Sequence, residues 1–110
     1  MNHEIIEKQG ASVVVLRGDV DLSSSPEARK LLLSSIGGSD RVLVDLSGVT
    51  YIDSSGVASL VEALQASKKN GNQFALAAAS EPTRRVLELA RLDKVFTMYA
   101  TVDEGINAAG

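Results

Sequence analysis

Cysteine is missing from this 110-residue chain. That excludes a disulfide framework, a thiolate metal site and thiol redox chemistry by the chain itself, and it suits a reducing cytoplasm. An excess of basic residues is missing too: 11 Lys and Arg face 14 Asp and Glu, for a formal charge of −3. Nucleic acid needs Lys and Arg clustered on one face, so it is not expected as a direct partner. No apolar run approaches the roughly 20 residues that span a bilayer, and the opening MNHEIIEKQG lacks the basic region and apolar stretch of a signal peptide. The two prolines form no linker, and no internal repeat or low-complexity tract interrupts the chain. What remains, 45% apolar and 23% charged residues, is ordinary usage for one soluble, cytoplasmic domain spanning residues 1–110 around a single core.

Residues 3–8 and the β-branched run SVVVLRG read as two extended segments separated by Gly10, an opening hairpin. In SSSPEARKLLLSSIGG, Ser24 or Ser25 can cap a helix and Pro26 suits its first turn. Ala28, Leu31, Leu32 and Ile36 share one face, and Gly37 and Gly38 mark the end. RVLVDLSG is too short for a helix, and Val42, Leu43 and Val44 in succession predict a central strand covered on both faces. The next helix starts at Ser54 or Ser55. Val57, Leu60, Val61 and Leu64 give it a core-facing stripe, Lys68 and Lys69 fall in its last turn, and Gly71 is placed for a left-handed cap. A strand QFALAA follows, then a helix begun by Ser80 with Pro82 in its first turn, with Arg84 and Arg85 on a solvated face. A strand KVFTMYA and a short helix with capping-box spacing between Thr101 and Glu104 complete the chain. Two strands followed by alternating helices and strands predict an α/β layer structure, its mostly parallel sheet opened by an antiparallel hairpin. Strand order is not legible from periodicity.

The stretch YIDSSG, Tyr51 to Gly56, poses the functional question. A serine at the start of a helix commonly accepts a bond from an orphan amide, worth about 1 kcal/mol, and Gly56 would let the chain turn tightly. Only one serine can cap; the other would be free at the C-terminal edge of the sheet, where open α/β folds place their binding sites. A nucleophilic serine needs a base, and the single histidine, His3, belongs to an N-terminal stretch expected to be mobile. The G-x-S-x-G spacing of a nucleophile elbow is absent, as are phosphate-cradling glycine motifs. Asp19, Asp21, Asp45 and Asp53 at strand ends raise a weaker alternative, a receiver-like domain holding Mg²⁺ between convergent carboxylates. The remaining reading is a serine modified by another protein: a phosphoryl group adds roughly −1.5 to −2 charge and would repel a partner docked on that corner, with Asp21 and Asp53 sharpening the effect. Tyr51 either packs beneath this corner or forms its rim.

Three stretches, VLRGDVDLSSSPEARKLL, RVLVDLSGVTYIDSSGVASLVEAL and KKNGNQFALAAASEPTRRVLELARLDKVF, together resemble the STAS domain family in its anti-sigma factor antagonist type. The family often reads D-S-S-G-[LI]-G; here Val57 and Ala58 follow Gly56. The resemblance implies a mixed sheet with helices packed mainly on one face. It implies a phospho-acceptor at Ser54, with Ser55 as second choice, and a partner-binding corner of Asp21, Asp53, Ser54, Ser55 and Gly56. It further implies a switch rather than an enzyme: the unphosphorylated form binds an anti-sigma factor that is also a serine kinase, phosphorylation releases it, and a serine phosphatase resets it. ATP and Mg²⁺ would belong to the partner kinase, with no cofactor on this chain. An alternative within the family is a constitutive subunit of a lipid-transport ABC ATPase complex or of a signalling assembly.

Overall fold

A computed structural model describes residues 1–108. Strands β1 (Asn2–Lys8) and β2 (Ala11–Val20) form the expected hairpin, in unbroken register from Asn2 opposite Arg17 to Lys8 opposite Ala11. Gln9 and Gly10 make its turn with φ of 51° and 79°, the pair of positive values that matches the twist of the flanking strands. After them come α1 (Ser25–Gly38), β3 (Arg41–Ile52), α2 (Ser54–Asn70), β4 (Gln73–Ala77), α3 (Glu81–Leu89), β5 (Met98–Tyr99) and α4 (Val102–Ala108).

The strands lie in chain order, β1-β2-β3-β4-β5, with the first pair antiparallel and the other three parallel. Each parallel crossover thus steps one strand in the same direction. Right-handed connections then place α1, α2 and α3 on one face of the sheet. The main core lies there: Val14, Leu16, Val42, Val44, Leu46, Phe74 and Leu76 of the sheet meet Leu32, Leu60 and Leu87 of the helices. The opposite face has a smaller cluster, Val13, Val15, Leu43 and Ala77, covered by Ile106 of α4. Helices are therefore packed mainly on one face, as the resemblance implies, and Val42–Val44 are buried on both faces as the uninterrupted run predicts.

Several details differ from the sequence reading. Ser24 stands at the start of α1 without capping it: its hydroxyl donates to the Asp19 carbonyl and accepts from the Asp21 amide, both at 2.9 Å, so it serves the preceding turn. Leu31 is only half-buried, and Ser35 takes a place in the inward stripe beside Leu32 and Ile36. The expected strand KVFTMYA shrinks to Met98 and Tyr99, because Val95 and Phe96 turn back on the Leu92 carbonyl. Phe96 drops from that turn into the main core, 6.5 Å from the ring of Phe74. At α4, Thr101 accepts from the Glu104 amide as expected, but Glu104 reaches back to the amide of Ala100, not to that of Thr101. Ser80 caps α3 through the Thr83 amide with Pro82 in the first turn, as expected, and the Val57, Leu60, Val61, Leu64 stripe faces the core. Among the described residues no helix is long and apolar enough to cross a membrane.

Candidate functional site

Strands β2 and β3 end together: Asp19 pairs with Tyr51 and Val20 with Ile52. The turns that follow, Asp21–Ser24 before α1 and Asp53 before α2, therefore leave the sheet side by side. The Asp53 amide donates to the Val20 carbonyl at 3.3 Å, tying the second turn to the end of the first strand.

Asp53 caps α2, not Ser54 or Ser55. Its backbone is extended, and Oδ1 accepts from the amides of Ser55 and Gly56 at 3.0 and 3.1 Å. The same oxygen accepts the Ser55 hydroxyl at 2.5 Å, and Oδ2 accepts the Leu22 amide at 3.2 Å. One carboxylate thus closes the helix end and fastens the neighbouring turn to it. A carboxylate exceeds serine in this role because it is ionised, has two acceptor oxygens and sits at the positive end of the helix dipole. The Ser55 hydroxyl, then the Gly56 amide, hold the Asp53 carboxyl below its ordinary range. Asp21 organises its own turn in the same way: Oδ1 accepts from the hydroxyl of Ser23 at 2.8 Å and from the amides of Ser23 and Ser24 at 3.1 and 3.2 Å. Those bonds, the Ser23 hydroxyl foremost, lower its carboxyl as well.

With Asp53 as cap, the two serines separate. Ser55 is half-buried and its hydroxyl is committed to Asp53. Ser54, the first residue of α2, is exposed, and its hydroxyl has no hydrogen bond among the described residues. Gly56 is helical and does not make a turn; it is buried where α2 meets β2. A Cβ there would stand 2.5 Å from the Val20 carbonyl oxygen and 2.7 Å from Cγ1 of Ile52. The missing side chain lets the N-terminus of α2 rest on the end of the sheet, which holds Ser54 at the surface.

Two apolar side chains complete the corner. Tyr51 is 51% exposed and forms a rim, and Leu22 is 77% exposed. Both line a shallow depression with Asp21, Ser23 and Asp53. Leu22 escaped the sequence reading, although an apolar residue inside the polar turn DVDLSSS was a signal. Asp53 was recognised as a neighbour of the serine but not as the cap.

His3 does not lie in a loose terminus. It sits within β1 opposite Leu16, with Nδ1 3.1 Å from Oε1 of Glu27 on α1. The aspartates of the receiver alternative are separately engaged: Asp19 accepts the Thr50 hydroxyl at 2.8 Å and Asp45 accepts the Ser47 amide at 3.0 Å. Among the described residues, no three acidic or metal-binding side chains are grouped to hold an ion. Arg84 is exposed and Arg85 pairs with Glu81 one turn away, as a solvated face would.

Sequence and structure comparisons agree with this architecture. A Thermotoga maritima protein, provisionally named an anti-sigma factor antagonist, is 33% identical over 69 residues, 63% of this chain and 61% of that protein's length. The anti-sigma-F factor antagonist RsfB of Mycobacterium tuberculosis is 27% identical over 105 residues, covering 93% of this chain and 84% of RsfB. The crystal structure of an anti-sigma factor antagonist from Mycobacterium paratuberculosis superimposes with a TM-score of 0.88 at 27% identity, over 97% of this chain and 92% of that one. The STAS domain model matches residues 2–105. With the chain-ordered mixed sheet and the Asp53-capped DSSG corner, that match over nearly the whole length means that this chain belongs to the STAS domain family.

Proposed function

We propose that this protein is an anti-sigma factor antagonist, a phosphorylation-controlled binding switch with Ser54 as the acceptor. The observation that carries the reading is the contrast between the two serines. Ser54 is exposed and its hydroxyl is uncommitted among the described residues, whereas Ser55 is held by Asp53. A kinase needs a hydroxyl it can reach, and Ser54 offers one without unmaking the cap. The names of the relatives support the class of partner, an anti-sigma factor.

The electrostatics of the corner suit a switch. No ion pair among the described residues places a basic side chain on Asp21 or Asp53. A phosphoryl group on Ser54 adds roughly −1.5 to −2 charge to this acidic surface. The helix dipole tolerates it, so the fold need not change. A partner docked over Leu22, Tyr51 and the two aspartates meets new like charge or must desolvate a dianion, and it is released. In this reading the partner is an anti-sigma factor with serine kinase activity, which supplies ATP and Mg²⁺. A separate serine phosphatase restores the binding form, and the chain itself is substrate and switch.

The test is peptide mass spectrometry of the protein from its native cells, with and without phosphatase treatment. The expected result is a removable phosphate on the peptide holding Ser54 and Ser55, lost in Ser54→Ala. Ser54→Asp should weaken capture of the kinase at least tenfold. Phosphate that persists in Ser54→Ala, or is absent under every growth condition, overturns the assignment.

A further inference from the structure

We propose that β1 is a self-pairing edge and that two copies of this chain join through it, antiparallel and centred on Ile5, into one ten-stranded sheet. β1 is the longer of the two edge strands, seven residues against two in β5, paired to β2 without a bulge, and every residue in it is exposed. Proteins usually blunt such an edge with a bulge, a proline or a short strand, because its outer N–H and C=O groups are a template for another strand. This one has no bulge or proline; its charged residues Glu4, Glu7 and Lys8 are engaged within the chain by Arg17, Ser12 and Asp103, and between them it carries Ile5 and Ile6, 45% and 40% exposed.

The register follows from the hairpin. Lys8 and Ala11 flank a two-residue turn and so exchange both backbone bonds. Alternation then directs the backbone groups of Asn2, Glu4, Ile6 and Lys8 at β2, and those of His3, Ile5 and Glu7 outward. A two-fold axis through Ile5 sets His3 opposite Glu7, Ile5 opposite Ile5 and Glu7 opposite His3. All three outward-directed residues then find partners, in about six backbone hydrogen bonds. Side chains permit that register: the two Ile5 side chains meet, no like charges stand directly opposite, and His3, Glu7, Glu4 and Lys8 already have intrachain partners in Glu27, Ser12, Arg17 and Asp103. Centring on Glu4 or Glu7 would oppose like charges. Centring on Ile6 would pair His3 with Gln9, which lies in the turn, and leave only Ile5 and Glu7 as outward pairs.

Space permits the union. The helix nearest this edge, α1, packs mainly on β2 and β3 and meets β1 through the exposed His3–Glu27 pair, so the residues of β1 stay exposed. In the joined sheet the two β2 strands are three spacings apart, roughly 14 Å. Helices pack at about 8–10 Å, so the two α1 helices do not collide. The β2 strands run antiparallel, which sends the two Ser54 corners to opposite ends of the assembly.

The absence of cysteine makes a direct test available. In the proposed register the Cα atoms of the two residues 5 stand about 5.5 Å apart, within disulfide range. Ile5→Cys should oxidise to a covalent dimer at least tenfold faster than the exposed helical control Gln65→Cys. Sedimentation of the unaltered chain at about 100 µM should give close to twice the 11.6 kDa chain mass. Ile5→Pro removes an outward N–H that β2 does not use, and Ile5→Glu sets two carboxylates face to face. Each should raise the dimer dissociation constant at least tenfold with the far-ultraviolet circular dichroism unchanged. An unaltered chain that stays monomeric at that concentration overturns the proposal. So does a dimer that both variants leave intact, or Ile5→Cys oxidation no faster than the control.

Discussion

Asp53 shows how much one side chain can organise. Its carboxylate holds two helix amides, one hydroxyl and the amide of the adjacent turn. Asp53→Ala should lower the thermal unfolding midpoint and speed amide exchange at Leu22, Ser55 and Gly56, while Asp53→Asn should recover most of the loss. The lowered carboxyls of Asp53 and Asp21 mean that folding favours their ionised forms. Their contribution is complete above the unfolded aspartate range and is lost as pH falls through the lowered folded values, on the acid side of the ordinary aspartate range. An NMR titration should therefore show the Leu22, Ser23 and Gly56 amides moving in that acidic window, with no matching step between pH 5 and 8. Gly56 acts by absence. Gly56→Ala forces a methyl against the Val20 carbonyl and should cost about 1–3 kcal/mol by thermal or denaturant unfolding, despite alanine's better helix propensity.

At the scale of the elements, α2 and α3 end in the same way with different residues. In α2 the Asn72 amide returns to the Ser67 carbonyl at 2.8 Å, with Gly71 left-handed at φ 76°. In α3 the Leu92 amide returns to the Leu87 carbonyl at 2.8 Å, with Arg91 in the left-handed position at φ 60°. Both are Schellman closures, but only glycine takes that conformation without a Cβ penalty. Gly71→Ala should destabilise by about 1 kcal/mol, and Arg91→Gly should stabilise by a few tenths to about 1 kcal/mol, both read from denaturant midpoints. Gly71 was legible in the sequence because it follows a long helical pattern. The end of α3 was not, since an arginine there carries no turn signal, and the closure is held by Leu92 packing against the main core.

For the whole molecule, the arrangement of the sheet decides what each residue can do. Leu76 lies in β4 and Leu87 in α3, both fully buried in the main core. Truncating either to alanine should cost about 2–5 kcal/mol in denaturant unfolding, a large share of the 5–15 kcal/mol typical of a domain this size. The chain-ordered parallel strands gather three helices on one face, so β2 and β3 end together at the corner that carries Asp21, Leu22, Tyr51, Asp53 and Ser54.

The sequence by itself determined the class of fold, the hairpin and the principal helices, and it drew attention to DSSG at a helix start, because hydrophobic period, turn residues and motif spacing are local properties of the chain. It brought Ser54 and Asp53 to notice as neighbours. Only the tertiary structure decided which group caps α2, because that depends on backbone directions set by packing Gly56 onto Val20. It also decided that Leu22 joins Tyr51 at the corner and that Phe96 leaves its expected strand for the core. These outcomes rest on contacts between residues about 20 to 40 apart in the chain, and local periodicity carries no record of such contacts.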